Sequence, residues 1–324
     1  MGTAPPLRRT RAGTDIARIS MISQINSASR RAPAAHPLLY SAVMNKLLAL
    51  GLSLPLVACV IGSGTDTTGP GSGGSNGSDL GPGPGPGGDH ITADATWTGM
   101  MSVTGTTTVD AGVKLIIAAG TTVKFGPSGA LVVNGSLDVQ GTKAQVVSLL
   151  PATAGGNFIG TTVSAGGSIL MNYAVQTGGG ITVNPGGKLT ATNTRMSHSS
   201  HDFLVVTDGN VDVSYSSIGM DPDGGADTTH CDMHFGGSGS TIKVTHSNIS
   251  TSVYGLMLYG GNQVDLTLNN WSNNSFTQID TQPGVSADIS GGWFDKAPAA
   301  GPAATLTYNN PAPNRLPVDQ AGPQ

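Results

Sequence analysis

Glutamate is absent from this chain, because all 19 acidic residues are aspartate. Charged residues make up only 10% of the 324 positions, and aromatic residues only 5%. Glu and Lys are good helix formers, so their absence or scarcity argues against a mainly helical protein. Gly and Pro, with 48 and 20 copies, remain below the level typical of wholesale disorder. Because Thr, Val and Ile favour strands, the composition predicts an all-β protein.

The two cysteines, Cys59 and Cys231, are too few for a disulfide framework, and we predict none. Positive charge is also scarce outside the first 43 residues, which hold six of the eight arginines. From Cys59 onward, 8 Lys and Arg face 18 Asp, a net charge of −10 with neutral histidine. Such a surface repels phosphate backbones, so nucleic acid is not an expected partner. Cations or neutral partners such as glycans suit it better.

Residues 44–58 have the features of a secretory signal peptide. A short positive start is followed at 47–56 by an almost unbroken apolar run. This run is shorter than the roughly 20 residues that a membrane-spanning helix needs. Leu-Val-Ala-Cys at 56–59 resembles the lipobox of bacterial lipoproteins, which implies cleavage before Cys59 and a lipid on its thiol. The alternative is an ordinary signal peptide that contains a cysteine.

Residues 59–90 are rich in Gly, Ser, Pro and Thr, which predicts a flexible tether between a membrane and a displayed domain. Val60 follows the cysteine where similar lipoproteins kept at the inner membrane carry Asp, so we expect the outer membrane, at its periplasmic face or the cell surface. Residues 1–43 are Arg- and Ser-rich without apolar periodicity, and we interpret them as an over-extended gene start.

Between residues 91 and 296, apolar and small polar residues alternate with the period of two that is typical of strands. A frame recurs there with apolar residues at its first, third and eighth positions, at intervals of 20, 22, 31, 22 and 23 residues. The first positions are Ile169, Leu189, Val211, Ile242, Val264 and Ala287, and the eighth positions are Met196, Ile218, Ile249, Trp271 and Phe294. Rungs of about 20–23 residues predict a stacked solenoid. Evenly spaced strands in a β-sandwich are the alternative.

The segments at 109–117, 119–125 and 131–137 resemble the opening rungs of right-handed parallel β-helix proteins of the pectin-lyase-like superfamily. The resemblance covers roughly residues 95–295. It implies an all-β, right-handed parallel β-helix. The Pro/Ala-rich residues 297–324 are expected to cap the last rung or to form a C-terminal tail. It does not imply one function, because that superfamily holds lyases, hydrolases, adhesins and inert spikes.

The 31-residue interval holds about nine residues more than a normal rung, and they fall within residues 221–234. Solenoid insertions form loops on one face, often the binding face. Asp221, Asp223, Asp227 and Asp232 supply hard oxygen ligands in a Gly-rich loop, which predicts a calcium site. The spacing matches an EF-hand loop only in part. The alternative is a solvated acidic turn.

Registering neighbouring rungs on each other predicts a column of polar side chains. His201-Asp202 would lie beside Cys231-Asp232, with Tyr254 next along and His198, His230 and His234 nearby. Such side chains could bind zinc. They could also bind a partner through Tyr254 and His230, or form a stacked polar ladder without chemistry. General acid–base catalysis would use His201, Asp202, Asp232 and His234.

Catalysis on acidic sugars is disfavoured by what the sequence omits. Polygalacturonase-like β-helix enzymes carry Gly-His-Gly and Arg-x-Lys, and neither occurs here. Within the predicted helix the sole arginine is Arg195. We therefore expect a lipid-anchored envelope protein that displays a non-catalytic β-helix with structural, adhesive, glycan-binding or protein-binding roles. The alternative is a carbohydrate-active enzyme, a polysaccharide lyase or hydrolase. Calcium on the inserted loop is the candidate cofactor, beside the possibility of zinc at the polar column.

Overall fold

A computed structural model describes Met1 and residues 89–219, 229–298, 301 and 304–324. The described residues from 89 onward belong to one compact unit, Ser75–Gln324. The predicted signal peptide, Cys59 and nearly all of the predicted tether lie outside the described residues, as do Asp221, Asp223 and Asp227.

Every described strand belongs to this compact unit, and the described residues contain no helix. The strands are β1 (His90–Ile91), β2 (Ala95–Trp97), β3 (Met100–Val103), β4 (Thr106–Val109), β5 (Lys114–Ala118), β6 (Thr122–Phe125), β7 (Ala130–Val133), β8 (Ser136–Gln140), β9 (Val147–Pro151), β10 (Gly160–Val163), β11 (Ser168–Asn172), β12 (Ala174–Thr177), β13 (Ile181–Val183), β14 (Lys188–Thr192), β15 (Arg195–Ser197), β16 (Leu204–Thr207), β17 (Asn210–Ser214), β18 (Ser217–Gly219), β19 (Cys231–Gly236), β20 (Thr241–Thr245), β21 (Asn248–Ser250), β22 (Tyr254–Leu258), β23 (Gln263–Asp265), β24 (Asn270–Ser272), β25 (Thr277–Thr281), β26 (Ser286–Asp288), β27 (Trp293–Phe294) and β28 (Thr305–Thr307).

Three parallel sheets run along the whole stack. Sheet A joins β1 and every third strand from β4 to β25, sheet B joins β2 to β26 in the same way and ends with β28, and sheet C joins β3 to β27. One strand from each sheet makes one rung of the solenoid, and strands in successive rungs lie about 4.8 Å apart. The prediction of an all-β parallel solenoid is therefore confirmed. Within the described residues no helix is long and apolar enough to cross a membrane.

The recurring frame predicted the register of sheets B and C. Its first positions pair in sequence from Ile169 to Val264 along sheet B, across the 31-residue interval as well. Its eighth positions pair from Met196 to Phe294 along sheet C. Residues with this period point into the solenoid and are fully buried in most rungs. Burial of these inward apolar residues, repeated from rung to rung, is what stabilises the stack.

The structure has a second long rung that the frame did not reveal. Leu137 pairs with Ile169, an interval of 32 residues, and the extra chain forms loops at 141–146 and 152–159. Phe158 of the second loop stacks on Phe125, with ring centroids 4.3 Å apart.

The bend from sheet B to sheet C is made by one residue with positive φ in each of five successive rungs. These residues are Tyr173, Asn193, Tyr215, His246 and Leu268, with φ between 43° and 60°. Non-glycine residues adopt this conformation rarely. In two successive rungs the bend residues stack on each other, because the Tyr215 and His246 rings lie 4.7 Å apart and nearly parallel.

The residue after each of these bends points inward, and from Thr194 onward these residues form a buried polar ladder. The Ser216 hydroxyl accepts a hydrogen bond from Thr194 N–H, and the Ser247 hydroxyl accepts one from Ser216 N–H. Asn269 accepts from Ser247 N–H and donates to two carbonyls. Every side chain in the ladder is fully buried. The ladder therefore satisfies backbone groups that the bend removes from the sheets.

The C-terminal segment turns back along the stack. After β28 pairs with β26, Leu316 N–H donates to the Asn270 side chain, which donates in return to the Leu316 carbonyl. Further on, Gly322 N–H donates to the His246 carbonyl, and Gln324 N–H donates to Asn193. The segment thus contacts progressively earlier rungs.

Candidate functional site

The outer face of sheet A carries a group of polar and aromatic side chains in its last four rungs. Alternation along the strands directs Leu204, Met233, Leu256 and Ile279 into the core, and directs Val205, His234, Met257 and Asp280 outward. The turns from sheet C to sheet A add side chains at the edge of this face. We call Asp202, His230, His234, Tyr254, Tyr259, Phe276 and Asp280 the sheet A cluster.

Asp202 lies between two histidines. Its Oδ1 is 2.8 Å from Nδ1 of His230, and its Oδ2 is 2.8 Å from Nδ1 of His234. An ionised carboxylate can only accept hydrogen bonds, so each Nδ1 carries the proton when the imidazole is neutral. Both Nε2 atoms then hold free lone pairs. Their side chains are 52% and 31% exposed, against 19% for Asp202.

Aromatic rings extend the sheet A cluster along the stack. The ring of Tyr254 lies 5.1 Å from that of His230, and the ring of Phe276 lies 5.1 Å from that of Tyr254. Phe276 is 68% exposed, although an exposed phenylalanine costs solvation free energy. These three rings belong to successive rungs, so they form a stepped apolar surface over about 10 Å.

Tyr259 and Asp280 form the other side of the cluster. The Tyr259 hydroxyl donates a 2.6 Å hydrogen bond to Oδ2 of Asp280, and its ring meets that of His234 edge to face at 5.2 Å. Burial, together with the hydrogen bond and charge of Asp280, raises the pKa of the Tyr259 hydroxyl above its usual value. The hydroxyl therefore remains protonated, and its one proton is committed to Asp280.

A surface pocket of about 210 Å³ adjoins the cluster on the side of the earlier rungs. Thr162, Thr182 and Val205 of sheet A form part of its lining, and residues 199–202 form one wall. Asp202 belongs to both the pocket and the cluster, whereas His201 belongs only to the pocket side. The pocket thus offers hydroxyl groups next to the Asp202 carboxylate.

The structure brings five of the predicted residues together here: His201, Asp202, His230, His234 and Tyr254. Sequence reasoning missed Tyr259, Phe276 and Asp280. The number of residues between paired positions in β16 and β19 also differs from the number that the sequence frame predicts. Val205 pairs with His234, an interval of 29 residues rather than 31, because the corner after β19 has four residues where the corner after β16 has two. Asp202 therefore lies beside Cys231, and His201 lies beside His230.

Asp232 and Cys231 lie beneath this surface. Both are fully buried. Burial, and then the charges of Asp202 and Asp232, raise the pKa of the Cys231 thiol well above its usual value, so the sulfur is an unreactive thiol rather than a thiolate ligand.

Three of the residues on which the calcium hypothesis depends lie outside the described residues. Of the predicted calcium ligands, Asp232 alone is among the described residues, and the calcium site remains a prediction. In the part of the chain that the structure describes, no group of three or more His, Cys or Asp side chains is arranged to hold a metal ion. The zinc hypothesis therefore has no ligand set among those residues.

The fold and this surface define a parallel β-solenoid protein with a polar and aromatic cluster on one sheet. No protein-family model, no curated protein and no solved structure matches the chain. The fold by itself does not define a function, because one fold hosts many functions.

Proposed function

We propose that this protein is a cell-envelope lipoprotein that displays the solenoid as a non-catalytic binding module, with the sheet A cluster as its ligand-binding surface. The observation that carries the proposal is the combination of outward-facing rings with hydrogen-bonding groups around Asp202. Aromatic faces next to polar groups suit a glycan or a surface protein. A right-handed sense and membership of the pectin-lyase-like superfamily belong to the same proposal.

The alternative is a carbohydrate-active enzyme, and one contact favours it. The carboxylate of Asp202 orients His234, as in a base that an acidic residue holds in one tautomer. Glycoside hydrolysis, however, normally needs two carboxylates that reach the substrate. Of the predicted pair, Asp202 is partly exposed but Asp232 is fully buried, and the other carboxylate of the cluster, Asp280, accepts a hydrogen bond from Tyr259. Binding without cleavage is therefore the function that we favour.

Binding and cleavage are separated by incubating the purified chain with immobilised envelope glycans and with soluble oligosaccharides of the same composition. We expect the chain to be retained on the glycan surface, because several rings and acceptors act together, while chromatography of the soluble material shows no shortened products. Product formation that is lost in Asp202→Asn would instead establish the enzyme. Absence of both retention and products, for glycans and for envelope protein, would refute a binding role for the solenoid.

The membrane anchor has its own test in the bacterial host. We expect Cys59→Ser to abolish metabolic labelling with a radioactive fatty acid and to move the protein from the membrane to the soluble fraction, because acyl chains supply the membrane affinity. Cys231→Ala is the matched control, since it removes the other thiol and leaves the proposed lipid site intact. Equal labelling of Cys59→Ser and the parent chain would contradict the anchor.

A further inference from the structure

The sheet A cluster presents hydrogen-bond acceptors and few donors. Asp202 binds the Nδ1–H groups of both histidines, so each Nε2 is an acceptor while the imidazole is neutral. Tyr259 uses its only hydroxyl proton for Asp280, which leaves lone pairs on its oxygen and on the other oxygen of Asp280. A ligand that satisfies this surface must itself supply the hydrogen-bond donors.

The charge of the sheet A cluster and its exposed ring faces restrict the class of ligand further. Among the described residues, no Lys or Arg forms an ion pair with Asp202 or Asp280. The exported part of the chain, from Cys59 onward, is also strongly acidic. The rings of His230, Tyr254 and Phe276 offer faces that attract the C–H faces of sugars and positively charged groups. A negatively charged ligand would meet carboxylates and acceptors together.

We propose that the ligand of the sheet A cluster is a glycan that carries free amino groups, a chain of hexosamine units, bound by hydroxyl and ammonium donors and by stacking on the rings. This inference rests on the proposed binding function and names its ligand class. The ammonium groups lie near Asp202 and Asp280, and the pyranose faces lie against Tyr254 and Phe276. Because the rings span about 10 Å, more than one sugar unit is in contact.

The test uses three probes of matched length with the full chain at neutral pH: a glucosamine oligomer, its fully N-acetylated form and an oligogalacturonate. Titration calorimetry should show the strongest binding for the glucosamine oligomer, weaker binding for the acetylated form and the weakest for the uronate. Added salt should weaken the first more than the second, because screening acts on charge. Uronate binding as strong as that of the glucosamine oligomer would overturn the proposal.

Variants then locate the site. Phe276→Ala should weaken glucosamine-oligomer binding by about tenfold, since stacking and cation–π contacts have that worth. Leu170→Ala is the matched control, because Leu170 is also an exposed apolar side chain but lies on the outer face of sheet B. Asp280→Asn should reduce the preference for the free amine over the acetylated sugar, with little change in acetylated-sugar binding. Equal binding by Phe276→Ala and Leu170→Ala would overturn the location.

A spectroscopic measurement checks the acceptor pattern without any ligand. Nitrogen-15 shifts of His230 and His234 should report protonated Nδ1 and unprotonated Nε2 in the neutral imidazoles. His90, whose Nδ1 lies 2.8 Å from Asp110, is the reference for a single His–Asp pair. Protonated Nε2 in both cluster histidines would remove the basis of the inference. If the chain binds other glycans through these same residues, the ligand class fails while the binding function stands.

Discussion

Asn269→Ala is expected to lower the free energy of unfolding by about 3 kcal/mol. The Asn269 side chain is fully buried and makes three hydrogen bonds to backbone groups, of Ser247, Val244 and Leu266. Alanine leaves those groups without partners in a place that water does not reach, and each pays a desolvation cost. Chemical denaturation followed by circular dichroism measures the loss.

Two further variants make this prediction specific. Asn210→Ala replaces an exposed asparagine at the start of a strand of sheet B, and its stability should stay within about 0.5 kcal/mol of the parent. Asn269→Asp keeps the acceptor for Ser247 N–H but loses both donors and buries a charge. It should be at least as destabilising as Asn269→Ala. Equal stability of the Asn269→Ala and Asn210→Ala proteins would contradict the structural role of the ladder.

The repeated inward positions of a solenoid explain why part of this fold could be predicted from the sequence. In a solenoid, each rung repeats the same inward positions, so a frame such as Leu189, Ala191 and Met196 returns whenever a rung is complete. Inward positions require apolar or small residues, and that restriction is visible in one sequence. The rung between Leu137 and Ile169 was missed because two loops lengthen it, and the first of them places Leu149 rather than the eighth residue of the frame in sheet C.

The candidate site was predictable only in part, and for a physical reason. Outward side chains are not restricted by packing, so no periodic pattern distinguishes Phe276 or Asp280 from other surface residues. Asp202, His230 and His234 drew notice by their chemistry, but their contacts depend on the length of a corner. The two extra residues in the corner after β19 move Asp202 to a position beside Cys231. Asp232 was expected in the exposed column, and the structure buries it.

Trp271→Ala is expected to lower the free energy of unfolding by about 4 kcal/mol, because it removes the largest fully buried side chain of the core. The Trp271 ring packs parallel to that of Phe294 in the last rung, with centroids 5.6 Å apart. Since each rung contacts only its neighbours, the cavity should loosen β24 and β27 first. Hydrogen exchange at those strands should therefore rise more than in sheet C near Met196.

Trp271→Phe should cost far less, about 1 kcal/mol. The Trp271 indole N–H is buried and meets no hydrogen-bond acceptor among the described residues, so phenylalanine removes an unsatisfied donor while it retains the stacking on Phe294. Trp293→Ala is the matched control, because Trp293 is only partly buried and its ring lies 5.9 Å from the Arg315 guanidinium. Chemical denaturation of the three variants and the parent measures these differences. If Trp271→Phe is as unstable as Trp271→Ala, the indole N–H has a hydrogen-bond partner. Loss of that hydrogen bond, rather than loss of side-chain volume, then dominates the destabilisation.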